Sequence, residues 1–337
     1  MSKTAIIIGG SGQIGQACAK HLLSLGWKVV SAQRHAAGAP PGTEGAAFDR
    51  VQPDALKNLV GAGADALIDT IAYGPEQARD LLVVQPDLGH LIVISSCSAY
   101  RGEGSGADAV PGPTMPRFPN PMREDSPRWA VLGDDYSSRK AAMEDVLLEG
   151  ARGPLTILRP GAIHGPGCRS PREWWVLKRV LDGRAQIPMA HGDALFHTTA
   201  TANIAALIET VLAAPGVRAL NIGDPQVHPA RDLVAMILAA VNAKAEIVPV
   251  TGKRQDFVGS HPWAPPHPAI MDLTAAGALG YRPATTYAAS IAETCADLIA
   301  RADGRPWRDA FPGLAPYPDA MFTYDAEDAY LAGRTHD

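Results

Sequence analysis

Cysteine is scarce. The four in this 337-residue chain, Cys18, Cys97, Cys168 and Cys295, are widely scattered, with no C-x-x-C pair and no Cys/His cluster. That spacing argues against a zinc site and against a disulfide framework, so no metal is expected and the expected setting is a reducing cytoplasm. An excess of basic residues is missing too. The net charge is −5 and the pI about 6.1. Such a chain has no electrostatic footprint for nucleic acid or an anionic membrane. Long apolar runs are absent as well. The opening "MSKTAIIIGGSGQIG" breaks into glycines after a few apolar residues, and nothing later is long enough to span a bilayer, so neither a leader nor a membrane segment is expected.

What is present is 46% apolar residues, ample for a sizeable core. Short apolar runs alternate with helical patterns. Strands are expected at Thr4–Gly10, Trp27–Gln33, Ala64–Ala72, His90–Ser98 and Leu155–Gly165; helices at Gln13–Gly26, Pro53–Gly63 and Pro75–Gln85, with a longer one carrying Tyr136 and Lys140. Strands apolar on both faces and separated by helices predict an α/β fold with a doubly wound parallel sheet. Past about residue 165 the rhythm changes to Pro- and Trp-rich loops between helices, read as a smaller lobe: residues 1–165 form the nucleotide-binding part, and 166–337 mainly a C-terminal lobe interleaved with it. The Pro- and Gly-dense stretch Arg101–Pro127 reads as a loop near the site, and the last thirty residues are the least legible.

The first turn carries the strongest local signal. Gly9, Gly12 and Gly15 follow a strand at once and open a helix. Glycines there allow a tight turn and close approach of backbone to a pyrophosphate, and the helix N-terminus offers free N–H groups. The turn Gly9, Gly12, Gln13, Ile14 and Gly15 is the candidate cofactor cradle. The end of the second strand reads Ala32-Gln33-Arg34, without the carboxylate that a NAD ribose 2′-hydroxyl prefers. Arg34 can pair with a 2′-phosphate, so NADP is preferred, with NAD as the alternative. Asp49 either accepts from the adenine amine or is a plain loop residue.

Tyr136 and Lys140 stand four apart on a helix and share a face. A free tyrosine has a pKa near 10, and a neighbouring ammonium together with the positive charge of an oxidised nicotinamide is expected to lower it toward a working acid–base value. "VISSCSAY" ends a parallel strand, where open α/β sheets place ligands; a hydroxyl there, Ser96 first and Ser98 second, can hold a substrate oxygen.

Together "GGSGQIG" (Gly9–Gly15), "SSCSAY" (Ser95–Tyr100), "YSSRK" (Tyr136–Lys140) and "LRPGAIHGPG" (Leu158–Gly167) resemble the extended branch of the short-chain dehydrogenase/reductase superfamily, the NAD-dependent epimerase/dehydratase family. "ALNIGDP" (Ala219–Pro225) and "ALGYRP" (Ala278–Pro283) are similar to its later landmarks. The resemblance implies a Rossmann-like sheet with a substrate-binding lobe. It makes Ser96, Tyr136 and Lys140 the catalytic triad, sets Arg159 and Pro160 beneath the nicotinamide, and implies a homodimer through a helix pair. Nucleotide-sugar members carry an Asn and a Tyr after the Arg-Pro pair, where this chain has Ala162 and His164, and an arginine that Gly192–Asn203 lacks. Those departures point to a smaller or more apolar alcohol or carbonyl, although Arg169 and Arg172 could restore some of the missing positive charge. Ser98, Tyr100, His164 and Trp174 are the candidate substrate contacts, with core packing between the lobes the alternative for Trp174 and a structural or surface place the alternative for His164. The expected activity is reversible hydride transfer between nicotinamide and a secondary alcohol or ketone. The alternatives are a nucleotide-sugar epimerase or dehydratase with tightly bound NAD(P), and a non-catalytic nucleotide- or RNA-binding relative.

Overall fold

A computed structural model describes residues 2–103, 117–130, 133–252, 256–265 and 267–334. Most of the expected Pro- and Gly-dense loop, residues 104–116, lies outside the described residues; its flanks are pinned by antiparallel bridges Tyr100–Arg128 and Glu103–Arg117.

Six strands make up most of the central sheet: β1 (Thr4–Ile8), β2 (Lys28–Gln33), β3 (Glu44–Ala47), β4 (Ala66–Asp69), β5 (Leu91–Ile94) and β6 (Leu155–Pro160). A seventh, Val217–Ile222, adds to β6. All pairs are parallel, in the order Val217–Ile222, β6, β5, β4, β1, β2, β3. The chain steps outward from β1 through β2 to β3, then returns to β4 on the opposite side of β1. Strand order therefore reverses between β1 and β4, and ligands in such sheets bind outside the strand ends at that point.

The sequence of β1, "TAIII", explains the two-layer core. Successive side chains point to opposite faces. Ala5 and Ile7 join the layer under α1 (Gln13–Ser24) and the helix Thr201–Ala213. Ile6 and Ile8 join the layer under α2 (Ala55–Val60), α3 (Pro75–Val84) and α4 (Tyr136–Gly150). All four are at most 3% exposed, which is why an unbroken apolar run reads as a strand buried on both faces.

The second lobe has its own core, built on Trp174, Trp175, Trp263 and Phe311. It holds the helices Trp174–Leu181, Ala230–Ala240 and Tyr287–Ala302, and a parallel pair of strands, Gln186–Met189 with Glu246–Pro249. The C-terminal helix Asp325–Arg334 docks through a buried ion pair, Arg179 to Glu327. The connection between sheet and lobe is not a single hinge: residues 201–222 return to the sheet as helix and seventh strand. No helix among the described residues is long and apolar enough to cross a membrane.

Candidate active site

One large cleft of about 1130 Å³ opens at the strand-order reversal, above the usual range of about 300–1,000 Å³ for a single small-ligand site. Its cofactor end is lined by Gly9, Gly12, Gln13 and Ile14, and farther out by Arg34 and Asp49. Gly9 has φ +80°, and a Cβ there would lie 2.3 Å from Thr70 Oγ1. Gly15 does not line the cleft. It lets α1 seat against the turn, since a Cβ there would lie 2.4 Å from the Gly9 carbonyl oxygen. The Oε1 of Gln13 is buried without a hydrogen-bond partner, and the N-terminus of α1 carries no acidic residue. A cradle closed by backbone, an unpartnered polar atom beside it and a helix dipole with no competing carboxylate fit a dinucleotide pyrophosphate.

The chemistry-bearing groups sit at the ends of β4 and β5. Asp135 caps α4 by accepting from the Ser137 and Ser138 amides, which makes Tyr136 the first helical residue and aims it at the cleft. Tyr136 is 46% exposed and lines the cleft together with Ser96. Ser96 is held by a short turn after β5, where its Oγ accepts from the Ser98 amide at 3.1 Å. One turn further along α4, Lys140 Nζ lies 5.8 Å from the Tyr136 ring centre and donates to the carbonyl oxygens of Ala72 (2.6 Å) and Ile94 (2.9 Å). Burial lowers the Lys140 ammonium to about 8 against the pull of Asp69 and Glu144.

The expected lowering of Tyr136 is corrected by the structure. Desolvation by the cleft walls raises it above the ordinary phenol value, and the Ser96 hydroxyl opposes that only in part. Without a bound oxidised nicotinamide, the phenol is therefore the proton-carrying form at neutral pH.

Four sequence candidates do not face the cleft. Arg159 is 1% exposed and binds Glu144 through Nε and Nη2, with Nη1 donating to the Tyr100 hydroxyl. Tyr100 in turn donates to Asn221 at 2.6 Å. His164 is buried against Asp224 at 2.8 Å, and Trp174 stacks on Phe311 in the lobe core. These are packing residues, drawn inward by partners far along the chain. Pro160 and Ser98 do line the cleft.

Sequence reasoning missed two side chains of this site, Asp69 and Glu144, and the ring partner of a third, Arg172. Asp69, fully buried at the end of β4, accepts from the Ile71 and Ala72 amides and pairs with Arg50, so it shapes the turn whose Ala72 carbonyl holds Lys140. An Asp closing the apolar run "ALID" was the available signal. Glu144, also fully buried, gathers Ser95, Arg128 and Arg159. Its signal was the four-residue repeat Tyr136, Lys140, Glu144 on one helix face. Arg172 lies over the Phe196 ring at 5.2 Å, and no local pattern announced that pair.

Fold and cleft together define a nucleotide-binding α/β enzyme of the doubly wound class. The chain belongs to the NAD dependent epimerase/dehydratase family, whose model matches residues 5–223. Solved structures with the same fold include dTDP-glucose 4,6-dehydratase from Bacillus anthracis in complex with NAD, at 16% identity and TM-score 0.65 over 90% of this chain and 99% of that one. UDP-N-acetylglucosamine 4-epimerase from Bacillus cereus matches at 17% identity and TM-score 0.66, over 88% and 99%. UDP-glucose 4-epimerase from Thermotoga maritima, solved with UDP-glucose, matches at 15% identity and TM-score 0.67, also over 88% and 99%. Comparison with the curated proteins gives no match.

Proposed function

We propose that this protein is an NAD(P)-dependent oxidoreductase acting between a secondary alcohol and a ketone, with Tyr136 as the acid and base. The observation that carries the reading is the meeting of Tyr136 and Ser96 in one cleft with the glycine cradle, with the Lys140 ammonium buried one turn behind Tyr136, 5.8 Å from its ring centre. When bound, the nicotinamide accepts or supplies the hydride. The protein's own residues handle the proton and the geometry. Ser96 holds the substrate oxygen beside the phenol, and Tyr136 gives that oxygen a proton in reduction or removes one in oxidation. Lys140 keeps a positive charge next to the phenolate that oxidation requires. At neutral pH the phenol carries the proton that reduction needs.

NADP is the cofactor we favour. Arg34 is exposed at the rim beyond β2, and Asp49 is the single carboxylate among the described residues lining the cleft, against four arginines. A 2′-phosphate suits that balance. The second reading is a nucleotide-sugar epimerase or dehydratase that keeps its cofactor through each turnover. The family and the nucleotide-sugar enzymes among its structural neighbours favour it.

Tyr136→Phe tests the chemistry. Turnover should fall below a few per cent while NADPH affinity, read by fluorescence titration, stays within about twofold. A variant that keeps more activity removes Tyr136 as the proton donor. Cofactor that co-purifies, with no NADPH consumed by any carbonyl compound, would select the second reading.

A further inference from the structure

The cleft is charged unevenly. Its single carboxylate, Asp49, stands at the cofactor end. Arg169 and Arg172, on the segment that follows Gly167, line the same cleft, and that segment adds no carboxylate to the lining among the described residues. Arg172 departs most from an ordinary surface arginine. Its guanidinium lies flat enough on Phe196 to sit 5.2 Å from the ring centre. Its Nε is buried and has no hydrogen-bond partner, and the side chain forms no ion pair among the described residues. The neighbouring carboxylate, Glu173, is turned away into the lobe, where Tyr287 donates to it. The buried Nε faces protein, so the donors that a partner entering the cleft would meet are Nη1 and Nη2 of the guanidinium, which make no hydrogen bond to a described residue. Arg172 lines the same cleft as Ser96 and Cys97.

We propose that Arg172, stacked on Phe196, binds an oxyanion of the substrate, a carboxylate or a phosphate, so that the substrate class is hydroxyl or carbonyl compounds that carry a negative charge. This rests on the oxidoreductase reading and adds the substrate class to it. The planar fork of a guanidinium matches two oxygens of either group at once, and stacking on Phe196 fixes the plane of the fork before the ligand arrives. A neutral ketone would gain nothing from the charge. Of the two readings the sequence left open, the proposal takes the one in which Arg172, on the segment after Gly165, restores the missing positive charge.

The test compares matched pairs of compounds, 2-oxo and 3-oxo acids against their ethyl esters, with NADPH oxidation as the readout. The wild-type protein should prefer the acids in kcat/KM by at least tenfold. Arg172→Leu should collapse that preference toward one, and Arg172→Lys, which keeps charge but loses the fork, should fall between. Equal use of acids and esters by the wild-type protein, or a preference that survives in folded Arg172→Leu and Arg172→Lys, overturns the proposal. If no carbonyl compound is reduced, the oxidoreductase reading has failed, and calorimetric titration with inorganic phosphate, oxalate and UDP decides the oxyanion site by itself. Binding to the wild-type protein that both variants weaken at least tenfold sustains it, and the preferred probe says which oxyanion it takes. No binding, or equal binding by all three proteins, refutes it.

Discussion

Glu144→Gln should be far more damaging to stability than a change of one atom suggests. Glu144 is fully buried and accepts from Arg159 Nε at 3.1 Å, from Arg159 Nη2 at 2.6 Å, from Arg128 Nη1 at 3.2 Å and from Ser95 Oγ at 2.5 Å. Glutamine keeps one acceptor oxygen. It turns the other position into a donor that faces two guanidinium groups. Arg159, 1% exposed, then holds a charge with no counter-ion. Breaking a buried pair in this way costs about 3–5 kcal/mol. Urea unfolding followed by tryptophan fluorescence measures it, since the chain has six tryptophans. The double variant Glu144→Leu/Arg159→Leu removes both charges and should recover at least half of the loss, because a well-packed apolar pair often replaces a buried ion pair at little cost. A loss below about 1 kcal/mol for Glu144→Gln, or a double variant as unstable as the two single variants combined, would show that the charge pair is not what anchors α4.

The other expectations are simpler. Arg34→Ala should raise KM for NADPH at least fivefold and change KM for NADH less than twofold; equal effects mean that Arg34 does not read a 2′-phosphate. Lys140 is lowered from 10.5 to about 8 by burial, so between those values the unfolded chain binds more protons than the folded one and stability rises with pH. This one group contributes roughly 3 kcal/mol across that window. The unfolding free energy of the wild-type protein minus that of Lys140→Met, measured in urea at pH 7.5 and pH 10, should therefore grow with pH, and a flat difference would place the Lys140 ammonium in ordinary solvent.

The sheet was legible because its signals are local. β-branched runs buried on both faces, each followed by a helical pattern, point to parallel strands whatever the rest of the chain does. Boundaries moved where local polar chemistry intervened. The expected strand His90–Ser98 stops at Ile94, because Ser95 turns to Glu144 and Ser96 caps the next turn. The expected strand Leu155–Gly165 divides at Gly161: β6 stays in the central sheet, while Ala162–His164 pairs with Thr198–Ala200. The cradle, Ser96, Tyr136 and Lys140 could be read for the same reason as the strands, since each is placed by its own strand end or helix start.

The substrate half follows a different logic. Tyr100, His164 and Trp174 have the chemistry of pocket residues, and only their partners reveal them as packing. Those partners are Asn221, Asp224 and Phe311, each at least 60 residues away. Asn203 shows how such a lobe is assembled. It stands where the family's Asp would be expected, and its amide donates to Asp224 and to the Thr285 carbonyl while its oxygen accepts from the Ala284 and Thr285 amides. One buried side chain thereby ties the seventh strand's exit to the approach of the helix Tyr287–Ala302. An Asp in that place has no donors for the Asp224 carboxylate and would set two buried carboxylates against each other. Asp224 also binds His164 and Thr198, so the choice of Asn at 203 is linked to the choice of His at 164. These departures from the nucleotide-sugar pattern are one rebuilt polar core. With His164 committed to that core, Arg172 and Phe196 are left at the cleft wall.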